Sequence, residues 1–512
     1  MIKIETISIL FQKKRERKKE SYPQYIKDCN LDQIIKEICK KNQNLEPYFY
    51  ERMQNKEEVI FRQKVFEDFK SEDLNMAVRE FLRREKKRKE KENQEKELHC
   101  KAQLEWYTMK RLCYWIESMN RFYKKLSAIS LKSEGFQTLY RYLEEKVNSK
   151  KIKMMEIQNK KIIKKLDQIE YSIKIKWSTV EVTACELKED YSQKVAETFL
   201  RFRQGNDKQY KFKGKEPDFA MNKVEEHILE GVIKLYPDIF QEMSEFVQKY
   251  GKERDEILEL FCDEVLFYLA YMDYIKPIQK AGLYFCCPQI GDSKTGKCKE
   301  SFDLGLANKH RGIGVMTNDF CWKENEKIFL VTGANQGGKT TYARMLGQIF
   351  HLTALGVPIP GKEANLFLCD SIFTHFEREE AIRTENGKLR DDLKRMKEIL
   401  EHLTENSFLI MNETFSSATL QDALFLGKKI VKKILDKGNL CLFVTFLNEL
   451  ENIDERIVGL VSMVDEEKKR TYEIRRAKLS GNADAKTIAE KYHLSYEQIK
   501  ERLKNESISF IS

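Results

Sequence analysis

Apolar residues keep two different rhythms along this chain. Between Leu104 and Leu126, the positions Trp106, Leu112, Trp115, Met119, Phe122 and Leu126 fall near helical spacing, which gathers them on one face of a long helix. Leu258, Phe261, Val265, Tyr268, Met272 and Ile275 step by three and four and predict a second apolar stripe, ending just before Pro277. After Phe320 the rhythm shortens. The runs Ile328 to Val331, Asn365 to Leu368, Ser407 to Met411 and Leu440 to Thr445 alternate with helical segments near Leu389 to Leu403 and Asp422 to Leu435. Short apolar runs of this kind read as buried strands, and their alternation with helices predicts an α/β sheet domain.

Proline placement agrees with a helical first half. The eight prolines stand at positions 23, 47, 217, 237, 277, 288, 358 and 360, so the stretch from Pro47 to Pro217 is free of the strongest helix breaker. Within it, the run RREKKRKEKE beginning at Arg83 reads as a solvated helix face. From Lys146 to Lys176 there are ten lysines against Glu156, Asp167 and Glu170, and the end of this stretch, YSIKIKWSTVEV, alternates like a strand. A basic, partly β insertion among helices can hold a phosphate backbone by charge. A solvated helix face is the competing reading, and no base-reading motif decides between them.

Composition sets outer limits. A chain of 512 residues is too long for one core and implies two to four domains. With 41% hydrophobic residues, global disorder is excluded. The net charge of +10, from 92 basic and 82 acidic residues, permits nucleic-acid contact without requiring it. The twelve cysteines are scattered, and the adjacent pair Cys286 and Cys287 lacks metal-ligand spacing. No basic-then-apolar leader opens the chain and no apolar run approaches membrane-spanning length. The expectation is a cytoplasmic protein with no membrane partner, nucleoid-associated if it holds DNA.

The chemistry concentrates in IFLVTGANQGGKTTYARM, Ile328 to Met345. An apolar strand, a glycine-rich turn and a helix-forming segment follow one another, and Gly333, Gly337, Gly338, Lys339 and Thr340 fit the P-loop pattern GxxxxGK[ST]. Such a loop curls backbone N–H groups around phosphates at a helix N-terminus, where Lys339 reaches the β and γ phosphates and the Thr340 hydroxyl ligates magnesium. ATP and Mg2+ are the expected cofactors. SFLIMNE is an apolar strand that ends in a polar and acidic pair, the place where a P-loop enzyme sets its magnesium-linked residue and its water-activating carboxylate. Asn412 and Glu413 take those places.

TGANQGGKTTYAR closely resembles the P-loop of the MutS family of DNA mismatch-repair ATPases, and other segments follow in the family's order. DEVLFYLAYMDYIKPIQKAGLYFCCPQI is similar to the family's long lever helix entering the ATPase domain. VMTNDF, Val315 to Phe320, is similar to the segment that flanks adenine. MNETFSSATLQDA resembles the Walker B and D-loop region, with Glu413 and Asp422 at matching separation. NADAKTIAEKYHLSYEQIKERL, Asn482 to Leu503, is similar to the small helical element that closes the domain and helps pair two subunits. The resemblance also reaches VIFRQKVFEDF, Val59 to Phe69, at the start of the helical core.

It implies an α + α/β protein. A helical core and lever region would fill 1–300, with a basic DNA-contacting insertion near 146–182, a P-loop ATPase domain 301–480, and a helical dimerisation element 481–512. It implies an ATP-gated DNA clamp, working as a homodimer or as a heterodimer with another MutS-like subunit. Lys339 and Glu413 would be catalytic, with Glu413 polarising the attacking water. Gly333, Ala334, Asn335, Gln336, Gly337, Gly338, Lys339, Thr340 and Thr341 would bind the nucleotide, and Thr340 with Asn412 the metal. Gly387 and Lys388 open a helix near the family's signature facing the partner's nucleotide.

Departures from the family pattern change the expectation. The Walker B aspartate is Asn412, which keeps an oxygen but loses charge. The signature Ser-Thr is absent, Phe446 follows Thr445 where the family has histidine, and Val315 stands where an aromatic stacks on adenine. These predict slow hydrolysis, or a switch that binds ATP more than it turns it over. The chain length leaves no room for the family's N-terminal mismatch-reading domain, so mismatch reading in the usual way is not expected. The alternative function is an ATP-gated structural clamp on a protein or ribosomal RNA complex.

Overall fold

A computed structural model describes residues 7–12, 22–177, 179–185, 221–377, 387–465, 469–479 and 500. The expected dimerisation element at 481–512 lies outside the described residues, apart from Lys500. The chain divides into two compact units. One comprises residues 1–67, 133–135 and 260–512, and the other comprises 68–132 and 136–259.

The first unit is built on a six-stranded sheet. In chain order its strands are β1 (Ile328–Gly333), β2 (Ile372–Phe376), β3 (Phe408–Asn412), β4 (Leu440–Val444), β5 (Ile457–Val464) and β6 (Arg470–Arg476), arranged β2-β3-β4-β1-β5-β6. All neighbours are parallel except β5 and β6. Helices α1 (Lys339–Leu355), α2 (Lys388–His402) and α3 (Leu420–Lys437) connect them. A parallel sheet covered on both faces needs strands that are apolar throughout, and β3 and β4 are buried at every position. Toward α3, Leu330, Met411 and Phe443 join Val431 and Ile434 in one core. On the opposite side Trp322 stacks on Phe329 with centroids 4.3 Å apart, and Phe350 of α1 meets Phe408 at 4.5 Å.

Two sequence expectations change here. Asn365 to Leu368 does supply a strand, Glu363–Phe367, but that strand belongs to a separate four-stranded sheet with Gln289–Gly291, Gly296–Ser301 and Asn318–Trp322. Its outer position in the family of apolar runs goes instead to β2, whose Thr374 and His375 masked it as a polar segment. The helix carrying the second apolar stripe does not stop at Pro277 but runs Glu256–Lys280. Pro277 falls in its last turn, where little helix remains to be disrupted.

The amino-terminal segment of this unit wraps α1. Arg62, fully buried, donates from Nε to Leu10 O and from Nη1 to Leu355 O, each at 3.0 Å. Gln348 donates to Cys29 O at 2.9 Å, and Arg344 to Asp28 O at 3.1 Å. His351 is held between the Tyr25 hydroxyl at 3.0 Å and Phe49 O at 2.9 Å. Tyr268 and Phe267, on the Pro277 helix, complete this layer through edge contacts with Phe66.

The second unit is helical, as the proline-free stretch predicts. Glu72–Glu95 and Lys101–Ser127 are joined by five residues and pack side by side, with Phe81 stacked on Phe122 at 4.4 Å. Glu134–Asn148, Lys150–Leu166, Lys223–Leu235 and Pro237–Tyr250 surround them. Within the lysine-rich stretch, Ile152, Met155, Asn159 and Ile162 are the buried positions of the helix Lys150–Leu166. Tyr171–Lys176 then pairs antiparallel with Thr179–Ala184.

Candidate functional site

Strands β1 and β3 end around one cavity, and the edge strand β6 borders it. Strand β1 runs into the loop 334–338 and then α1, so seven consecutive residues from Gln336 to Tyr342 line a cavity of about 440 Å³. Glu413, one residue beyond β3, closes another wall, and Tyr472 of β6 a third. Asp303, His310, Met316 and Asn318 lie on the remaining side.

The loop's glycines are required by a close approach. Ser462 of β5 donates its hydroxyl to Gly337 O at 2.6 Å, and a Cβ added at Gly337 would sit 2.4 Å from that oxygen. Gly333 pairs with Ser462 in register, with φ of +122°, and a Cβ there would meet the Ser462 Cβ at 2.9 Å. A larger residue at either position collides with β5 or forces a left-handed conformation on a side chain that resists it. Gln336 also takes a left-handed φ of +61°, and its Oε1 accepts from Arg470 at 2.8 Å.

Lys339 is buried at the first turn of α1. Its Nζ donates to Gly333 O at 2.7 Å and Ala334 O at 3.0 Å, so the side chain spans the loop from inside. Thr340 donates its hydroxyl to Asn412 Oδ1 at 3.1 Å, which ties α1 to the end of β3. Glu413 continues the sheet through its N–H to Val444 O at 2.9 Å and carries a φ of +51°. A glutamate held in the left-handed region stores about 1–3 kcal/mol of strain, and such residues cluster where geometry serves chemistry.

The structure therefore brings Gln336, Gly337, Gly338, Lys339, Thr340, Thr341 and Glu413 to one cavity. Gly333 and Ala334 stand behind it through their carbonyls, Asn412 stands behind Thr340, and Asn335 is exposed outside the lining. Asp422 lies in the first turn of α3, its N–H donating to the capping Thr419 Oγ1 at 3.2 Å, and takes no place in the cavity. Gly387 is exposed at the start of α2. Val315 is half-buried and outside the lining, whereas the adjacent Met316 is within it.

Sequence reasoning missed Tyr472, Ser462 and His375, and within the segment Val315 to Phe320 it singled out Val315 rather than Asn318. Tyr472 comes from an antiparallel edge strand with a left-handed φ of +60°, and Asn318 holds that strand by donating to Tyr472 O at 3.1 Å and accepting from the Ile474 N–H at 2.7 Å. No motif marks such residues. His375 braces the Glu413 loop from below, with Nδ1 3.3 Å from Thr414 Oγ1 and Nε2 3.2 Å from Asp392 O. Burial, and then the Arg395 guanidinium, lower its pKa to about 4. The ring is neutral near pH 7, so Nε2–H donates to Asp392 O and Nδ1 accepts from Thr414.

The residues fit a magnesium ion. Thr340 Oγ1 and Asn412 Oδ1 supply neutral oxygens 3.1 Å apart, and Glu413 lines the same cavity. A hard cation that keeps several waters and takes further oxygens from substrate phosphates is served by such a sparse set.

A strand, a glycine turn with the spacing GxxxxGK[ST] and a helix thus stand in the parallel part of an α/β sheet. Residues 329–490 match the family model described as MutS domain V. The chain is 27% identical over 260 residues to a DNA mismatch repair protein MutS of Finegoldia magna, covering 49% of this chain and 29% of that protein. It is 26% identical over 244 residues to the DNA mismatch repair protein MSH3 of Eremothecium gossypii, covering 45% and 22% respectively. A DNA mismatch repair protein MutS of Clostridium botulinum is 30% identical over 141 residues, covering 27% and 15%. Over residues 329–490 the chain thus matches the MutS family, and the relatives it is similar to are proteins of that family. Its matches span less than a third of the relatives' own length. Among the described residues, no helix is long and apolar enough to cross a membrane.

Proposed function

We propose that this chain is an ATP-binding, slowly hydrolysing DNA-binding protein, in which two ATPase domains pair when ATP is held and thereby change the grip of the helical unit on DNA. The observation that carries the reading is the convergence of Lys339, Thr340, Asn412 and Glu413 at one end of the sheet, around a cavity of about 440 Å³. Family relatives named for DNA mismatch repair support the DNA partner. The pairing, as a homodimer or with another MutS-like subunit, rests on the resemblance of the segment from Asn482 to Leu503 to a dimerisation element.

Each residue has a separate task. The backbone N–H groups of the loop and the N-terminus of α1 face the phosphates, where the helix dipole favours negative charge. Lys339 brings a full positive charge to the β and γ phosphates, and Glu413 accepts a hydrogen bond from the attacking water and orients it. Thr340 and Asn412 would hold Mg2+, whose chemistry is to neutralise charge that develops on the phosphoryl oxygens. Asn412 makes that hold weaker by one charge, which accounts for slow turnover.

Purified chain is expected to bind Mg-ATP, and its affinity for duplex DNA is expected to differ between nucleotide-free and ATP-loaded protein. Anisotropy titrations of labelled duplex with and without Mg-ATP read this directly. Identical DNA affinity in both states, at saturating nucleotide, would remove the gating.

Asn412→Asp adds the missing charge 3.1 Å from the Thr340 hydroxyl. The Mg2+ concentration giving half-maximal turnover is expected to fall by about an order of magnitude. Because position 412 is buried, the metal-free variant should also be less stable, since a desolvated carboxylate is costly. Unchanged magnesium dependence would show that Asn412 has no part in holding the metal.

A further inference from the structure

Outside the nucleotide cavity, a strongly basic concavity lies in the helical unit. Two grooves of about 460 and 480 Å³ share Tyr114 in their walls, on the surface formed by the helices Glu72–Glu95, Lys101–Ser127 and Lys150–Leu166. Their walls carry nine lysines and arginines against three carboxylates. The run beginning at Arg83, which reads in sequence as a solvated face, is therefore two faces. Outside the grooves, Lys86 pairs with Glu90 at 4.0 Å in the mixed pattern of an ordinary exposed helix. Facing the grooves, the balance is basic.

The cations are spaced regularly. Arg79, Arg83, Lys87 and Lys91 recur every four residues along one helix, which sets them about 6 Å apart in a row of roughly 18 Å. Arg84 lies over the Tyr114 ring at 4.3 Å and Lys91 at 5.0 Å, so the aromatic ring holds both cations at the junction of the grooves. Lys125 is paired with Glu80, and Arg84 with Glu117 at 3.7 Å. Among the described residues Arg83, Lys87 and Lys164 have no carboxylate within ion-pair distance, and both Arg83 and Lys87 are exposed.

We infer that this groove is a binding surface for the phosphate backbone of duplex DNA. The inference rests on the DNA-binding reading above and assigns that binding a place. A duplex strand carries a phosphate every 3.4 Å of helix axis while winding around it, so a straight cationic row of roughly 18 Å meets the few phosphates on the side that faces it. Single-stranded nucleic acid is a poorer fit, because its binding relies on open aromatic platforms and Tyr114 is already covered by Arg84. An acidic protein is a poorer fit as well. Protein interfaces have apolar centres, and the apolar lining here is confined to Met76, Tyr114 and Ile163, with Cys113 beside them.

The test compares two charge reversals on the same helix in the full-length chain. R83E/K87E places acids in the groove, while K86E/K89E makes the same change in net charge at exposed positions outside it. Fluorescence anisotropy on a labelled 25-base-pair duplex is measured from 50 to 200 mM salt, with thermal melts and nucleotide binding confirming that both variants fold. R83E/K87E should bind the duplex at least about tenfold more weakly, and its log–log salt slope should fall by about two. K86E/K89E should stay within about twofold of the unmutated chain. Equal losses in the two variants, or a loss in neither, would overturn the assignment while leaving DNA binding itself intact. If the unmutated chain binds no duplex under any nucleotide condition, the DNA reading fails together with the groove.

Discussion

Lys339→Ala is expected to weaken Mg-ATP binding by about a hundredfold, or ~3 kcal/mol. The size follows from where the ammonium sits. Lys339 is buried at the first turn of α1, and its charge is already aimed across the loop by bonds to Gly333 O and Ala334 O. A charge held in place by the fold costs no reorganisation when phosphate arrives, and low local dielectric strengthens its pull. Alanine removes the charge and leaves two loop carbonyls without their donor, so some loss of loop order accompanies the loss of affinity. Equilibrium titration with a fluorescent ATP analogue measures the change, and a melting curve separates it from unfolding. Affinity within threefold of the unmutated chain would mean that the cavity is not a phosphate site, and the proposed function would fall with it.

Glu413→Gln should separate holding ATP from hydrolysing it. Steady-state turnover is expected to fall by 10²–10⁴-fold, the usual contribution of a positioned general base, with nucleotide affinity within threefold. Glutamine keeps the size of the side chain and pays the same left-handed backbone cost at φ of +51°, so stability should be nearly unchanged. Loss of turnover in a folded, ATP-binding variant supports the role given to the carboxylate. Turnover near the unmutated rate would move the water-orienting task to another group on the cavity wall.

Much of the sheet was legible because its strands obey one rule. β1, β3 and β4 are buried on both sides, which writes them as unbroken apolar runs, and GxxxxGK[ST] fixes the turn after β1. β2 escaped because Thr374 and His375 interrupt the run. Both are satisfied by distant groups, Thr374 by Asp28 Oδ2 at 2.5 Å and His375 by Asp392 and Thr414, and a polar residue buried through a tertiary partner looks like a loop residue when read locally. The cavity was half legible for a similar reason. Its floor is a contiguous motif, whereas Met316 and Asn318 arrive together on the segment Val315 to Phe320 and Tyr472 on β6, and their meeting depends on where the pairing of β5 with β6 sets that strand. The basic groove was hidden because a helix with cations on two faces gives one charge run in sequence. Only the position of Tyr114 on the neighbouring helix distinguishes the faces.

The wrapping of α1 by the amino-terminal segment has a consequence for how the chain is made. Arg62 and Leu355 are 293 positions apart, and at about 5–20 residues per second roughly 15–60 s separate their emergence from a ribosome. During that interval Tyr25, Cys29, Phe49 and Arg62 lack the α1 groups they bond to, while the helical unit meets its partners locally and early. The segment before residue 67 is thus made well ahead of the helix it wraps, and its lasting contacts with α1 form only after Leu355 has emerged.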